Sequence, residues 1–171
     1  AVKPAVEESD GKRVMVVATP LTVHEKKLQN LVERVDDAHL VDLLELPRLV
    51  EFAERGEFVS DEVTRYLKNK LSAYPLEKYG ELVLGCTHFN FFKDTFQKLM
   101  PSGTHMIDGS QGTVRQLMRI LEAKGALADK EGNMCRDWER NKNDICVRYF
   151  VSGREILDAD RLNMFNDLHQ R

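Results

Sequence analysis

At 171 residues the chain is long enough for one domain, or slightly more than one, around a substantial core. Apolar residues make up 42% and charged residues 31%, and a net charge of −3 spread along the chain excludes nucleic-acid binding driven by charge. No run approaches the roughly 18 uninterrupted apolar residues of a membrane helix, so neither nucleic acid nor membrane is expected as a partner.

Residues 1–11 are polar and acidic, contain a proline, and are expected to form a flexible leader. Val14-Met15-Val16-Val17-Ala18 is a continuous apolar run, the pattern of a strand covered on both faces. Leu28, Leu31, Val32 and Val35 then recur at helical spacing, and Thr22 with Glu25 suits a capping box ahead of them. A second strand is expected at His39–Leu43, with Leu46-Pro47 as its exit. A short helix carries Leu49, Val50 and Phe52 and stops near Gly56. Ser60 is the expected cap of the next helix, whose buried stripe is Val63, Leu67 and Leu71.

A strand at Glu81–Gly85 follows, then a Cys-Thr-His loop and a helix with Phe92, Phe96 and Leu99 that Pro101 stops. His105-Met106-Ile107 is a further strand, and Val114, Leu117, Met118 and Leu121 define a helix ending near Gly125. Strands alternating with helices predict an α/β fold with a parallel sheet. The stretch 126–144 lacks clear periodicity; Cys146–Val151 is a lone strand candidate and Ile156–Leu168 a final helix.

The chemistry concentrates in the loops after the strands. Cys86, Cys135 and Cys146 are too few and unevenly spaced for a disulfide framework or a zinc site, and predict a reducing, cytoplasmic setting. Cys86 follows an apolar strand and a glycine and precedes a helix whose N–H groups favour a thiolate. At that position it is a nucleophile, an acid/base, a metal ligand or an inert small residue. His88 can exchange a proton near neutral pH, and Thr87 offers a hydroxyl to an anionic ligand. Thr19 and Thr22, at the carboxyl end of the first strand, should face the same crevice, although Thr22 also reads as a helix cap. Asp108-Gly109-Ser110 ends another strand on that side and reads equally as a turn with a cap. His24, His39, His105 and His169 read as surface histidines, and Cys135 and Cys146 as structural.

Leu84-Gly85-Cys86-Thr87-His88-Phe89 resembles the LGCTH[YF] motif of the aspartate/glutamate racemase family, glutamate racemases in particular. Ala18-Thr19-Pro20-Leu21-Thr22-Val23 resembles its ATxxTV segment, and Ile107-Asp108 and Tyr149–Gly153 follow in the same order, so the likeness runs from about Val14 to Leu168. The resemblance implies a three-layer α/β lobe and cofactor-independent interconversion of L- and D-glutamate for peptidoglycan, with one thiolate removing the α-proton and a second thiol reprotonating the opposite face. It implies Cys86 and His88 as catalytic, Cys86 acting on the L-enantiomer, with Thr87, His88, Thr22 and Thr19 binding substrate and no metal.

Two local departures stand out: Asn90 replaces the usual proline and Asp108-Gly109-Ser110 a DSG order. The family's DSG, PYG and ACNT motifs, the last holding the other cysteine, do not occur before Val14. The expectation is therefore a racemase lobe at 12–107 and a segment at 108–171 that returns to another lobe. A missing N-terminal half or a homodimer would complete it, covering apolar surface on the 114–121 helix and the 146–151 strand. A relative acting on aspartate or another small diacid, and a non-catalytic interaction module, are the rival readings.

Overall fold

The computed structural model describes residues 1–126 and 148–170, and the chain divides into two compact units, Ala1–Gln111 and Gly112–Arg171. Cys135, Cys146 and nearly all of the 126–144 stretch lie outside the described residues.

The first unit is built on four parallel strands, β1 (Arg13–Ala18), β2 (Val41–Glu45), β3 (Tyr79–Leu84) and β4 (His105–Ile107), in the order β2-β1-β3-β4. The two central strands, β1 and β3, are buried almost throughout, as their unbroken apolar runs require. Side chains alternate between the faces. Val14, Val16 and Val83 on one face form a core with Val2 and Ala5 of α1 (Val2–Glu8) and with Leu28, Leu31, Val32 and Val35 of α3 (Lys26–Val35). Met15, Val17, Leu82 and Leu84 alternate with them and are buried as well.

The crossovers from β2 to β3 and from β3 to β4 run the opposite way from that joining β1 to β2. Right-handed connection therefore puts α4 (Arg48–Glu54), α5 (Asp61–Leu71) and α6 (Lys93–Leu99) on the other face. Their buried anchors are Leu49, Phe52, Val63, Leu67, Leu71 and Phe96. The result is the three-layer α/β lobe expected.

Local signals explain most boundaries. Ser60 caps α5, its hydroxyl accepting from the Val63 N–H at 3.2 Å, and Gly56 ends α4 at φ +73°. Three expectations need correction. Residues 1–11 are no flexible leader: Val2, Ala5 and Val6 recur at helical spacing, and burial of the first two ties α1 to the sheet. Thr22 does not cap α3; it lies inside the short helix α2 (Pro20–Val23), which Thr19 caps, while Glu25 starts α3 without a side-chain cap. β2 begins two residues late, because Asp36 accepts from the Leu40 and Val41 N–H groups at 2.8 Å each and His39 turns at φ +54°.

In the second unit α7 (Ser110–Ala123), which starts in the first, presents Val114, Leu117, Met118 and Ile120 exposed. β5 (Phe150–Val151) and β6 (Arg154–Glu155) form an antiparallel hairpin turning through Ser152 at φ +50° and Gly153 at φ +78°. The expected lone strand is thus half of its own hairpin, with Cys146 and residue 147 outside the described residues. Phe150 and Val151 are exposed too. The last helix, α8 (Ala159–Gln170), starts three residues later than expected, behind Asp158, whose carboxylate accepts from the Arg161 N–H at 3.0 Å.

Candidate active site

The chain leaves β1 for β2 on one side and adds β3 on the other, so the winding reverses between β1 and β3. In open α/β sheets the crevice outside the carboxyl ends of the strands at such a reversal is where ligands bind. Val17 pairs with Leu84 there, and one step on the Gly85 N–H donates to the Val17 carbonyl at 2.8 Å. A Cβ at Gly85 would meet that carbonyl oxygen at 3.0 Å and the Ala18 Cβ at 3.1 Å. Glycine lets the two strand ends come this close, and Thr19 and Cys86 leave from them side by side.

Cys86 opens a 3₁₀ segment, Thr87–Phe92, whose Phe89 and Phe92 are fully buried and pin the loop from below. The Phe89 N–H donates to the Cys86 carbonyl at 3.0 Å. Cys86 Sγ lies 3.8 Å from His88 Nδ1, within reach of a weak sulfur hydrogen bond, and both side chains are half-buried. Thr87 is exposed. On the neighbouring strand end the Thr19 and Thr22 hydroxyls lie 3.0 Å apart, and the Thr22 N–H donates to Thr19 Oγ1 at 3.4 Å. The structure therefore joins Cys86 to His88 and Thr19 to Thr22, and sends the two pairs out from adjacent strands. A thiol facing an imidazole can pass a proton, and paired hydroxyls can hold a carboxylate.

Two further pairs stand along the same edge. Glu45, the last residue of β2 and register partner of Ala18, meets His24 with Oε1 2.6 Å from Nε2. Asp108, just past β4, accepts from Lys93 Nζ at 2.6 Å and from the Ser110 N–H at 2.8 Å. The Lys93 ammonium, aided by Ser110, holds the Asp108 carboxyl below the usual carboxylate range despite partial burial. Sequence reasoning singled out Asp108 but not Lys93, and left His24 as a surface histidine. The missed signal was the length of β2, which carries Glu45 to the edge. His39 remains an exposed turn residue, and among the described residues no group of three or more His, Cys, Asp or Glu is placed to hold a metal ion.

No family model matches the chain. Against curated proteins it is 42% identical, over its whole length, to the glutamate racemase of Lachnospira eligens, covering 62% of that protein. It is 42% identical over 99% of its length to glutamate racemase 2 of Bacillus subtilis, covering 60% of that one. The chain is a relative of the glutamate racemases. Its fold agrees: 71% of it superposes on 47% of Escherichia coli glutamate racemase, solved with L-glutamate and the activator UDP-MurNAc-Ala, with a TM-score of 0.63 at 28% identity. The chain thus spans about three-fifths of the length of the two curated glutamate racemases, and the likeness read from LGCTHF extends through both sequence and fold.

Proposed function

We propose that this chain carries one acid/base half of a cofactor-independent glutamate racemase site. In this reading the Cys86 thiolate takes the α-proton of L-glutamate, forming an S–H bond while the C–H electron pair stays on the α-carbon and spreads into the carboxylate. His88 assists that transfer, and Thr87, Thr19 and Thr22 hold the substrate's carboxylate end through hydroxyl and backbone donors. Inversion requires a new C–H bond on the opposite face, so a second acid must face Cys86. Cys86 is the one free cysteine among the described residues, and the reading assigns the second acid to polypeptide outside them or to a second copy of the chain. The exposed Val114, Leu117, Met118, Phe150 and Val151 support such a completing surface, with residues 108–171 contributing to another lobe. The product D-glutamate would serve peptidoglycan synthesis in the cytoplasm; among the described residues no helix is long and apolar enough to cross a membrane.

The observation that carries the reading is the Cys86–His88 pair at the β1/β3 reversal, in a chain with this degree of identity to glutamate racemases. The test is α-proton exchange in D₂O followed by NMR, with L-glutamate, D-glutamate and L-aspartate offered separately. Exchange of glutamate is expected, and Cys86→Ser should slow it by roughly 10²- to 10⁴-fold, the usual contribution of a positioned acid/base. Preferential exchange of aspartate would move the assignment to a relative acting on another diacid. No exchange with any of the three, both for the chain alone and after a racemase amino-terminal half is added, would overturn the reading in favour of an interaction module.

A further inference from the structure

We propose that α1 is a pH-released latch on the sheet, held down while the Glu81 carboxyl is neutral and let go as that carboxyl ionises. The inference stands on the amino-terminal part of the sheet and is independent of the chemistry assigned to Cys86.

Glu81 sits in the middle of an apolar strand with only 2% of its surface exposed. It shares a face with Val83, two residues on, and Val83 packs in one core with Val2 and Ala5 of α1. The carboxyl therefore lies on the face that α1 covers. One oxygen, Oε1, is 3.2 Å from Nδ1 of His105, the cross-strand neighbour on β4; the other, Oε2, is buried without a partner. A neutral carboxyl tolerates this position far better than a carboxylate, whose second oxygen would be desolvated for nothing.

The charges around it favour the same state. From α1 the carboxylates of Glu8 and, just past the helix, Asp10 bear on Glu81, and the last turn of α1 contains no basic residue to offset them or the negative end of the helix dipole. Glu7 of that turn is matched by Lys3 at 3.6 Å. On β4 the one opposing group is His105, itself largely exposed. From the turn before β1, Lys12 lays its alkyl stem against Gly80, and Arg13 of β1 is engaged by Asp42 at 2.7 Å. Burial pushes the Glu81 carboxyl above the usual carboxylate range, Glu8 and Asp10 add to that push, and His105 opposes it. Because the docked state raises this group's affinity for its proton, docking is most favoured at low pH and weakens as pH rises through the raised value.

Amide hydrogen exchange of the full chain, read at residues 5–8 and expressed relative to the amides of α5 to remove the intrinsic pH effect, tests this. In the wild type the relative protection of α1 should fall by up to about tenfold per pH unit between the ordinary carboxylate range and the raised Glu81 value, and level off above it. Glu81→Gln, neutral at every pH, should keep α1 protected throughout. His105→Ala should deepen the loss of protection and carry it on to higher pH, because it removes the one group that favours the carboxylate in the docked state, and it decides the matter should the Gln variant not fold. A constant α1-to-α5 ratio in the wild type, an unchanged profile in Glu81→Gln, or a loss no deeper than wild type in His105→Ala would each overturn the latch.

Discussion

Gly85 fixes how near Thr19 and Cys86 can come, and its role is steric: the Val17 carbonyl and the Ala18 side chain occupy the space a methyl would need. Both obstacles belong to β1, a buried strand that cannot retreat without disturbing its register with β2 and β3. Gly85→Ala should therefore cost about 1–3 kcal/mol, the ordinary penalty for overpacking, measurable as a lower urea midpoint at unchanged slope. It should also slow α-proton exchange by more than that stability loss explains, since the strained bond lies next to Cys86. The Cys86–His88 pair was legible in sequence because the two residues are two apart on one loop. The His24–Glu45 pair was not, because the two are 21 residues apart in sequence and meet through the parallel register of β1 and β2.

The same division holds for whole elements. Strands buried on both faces and helices with long apolar stripes were legible, since their periodicity repeats over many residues: β1, α5 and α7 lie where their patterns put them, and β3 differs only in starting at Tyr79, two residues before the expected Glu81, and ending at Leu84. Short elements were less so. α1 offers only Val2, Ala5 and Val6 amid charges, a pattern that becomes a helix once the sheet supplies an apolar surface to pack on. Thr22 suited a capping box by spacing, yet Thr19-Pro20 starts a helix three residues earlier, with proline at its first position. The 3₁₀ segment after Cys86 has little helical strength of its own and is held by Phe89 and Phe92, the latter tilted against Phe58 at a centroid distance of 6.0 Å. Phe92→Ala should then cost roughly 3–5 kcal/mol by chemical denaturation, the loss expected of a fully buried ring.

Across the whole first unit the two ends of the sheet are built for different purposes. The carboxyl end is polar and partly open, with Thr19, Cys86, Glu45 and Asp108 arrayed along it. The amino end is tied shut by one cluster drawing on three strands. Asp42 of β2 accepts from Arg13 Nε of β1 at 2.8 Å and from the Tyr79 hydroxyl of β3 at 2.5 Å, and the Arg13 guanidinium lies 5.9 Å from the Tyr79 ring centre. Burial first, and the hydrogen bond to Asp42 second, push the Tyr79 phenol up to about 12 from its ordinary value near 10. A raised value for an acid means that the folded state keeps its proton longer than the unfolded chain does. The stabilisation is complete below about pH 10 and is lost as pH climbs towards 12. Tyr79→Phe removes both the hydrogen bond and the titration. At neutral pH it should cost about 1.5–3 kcal/mol, the worth of a hydrogen bond to a charged acceptor. Between pH 10 and 12 the wild type should lose its advantage while the variant's curve lacks that component, so the two urea-derived stabilities converge. A gap that stayed constant over this range would mean that the phenol titrates alike in the folded and unfolded chains, and that the tie between the three strands works through packing alone.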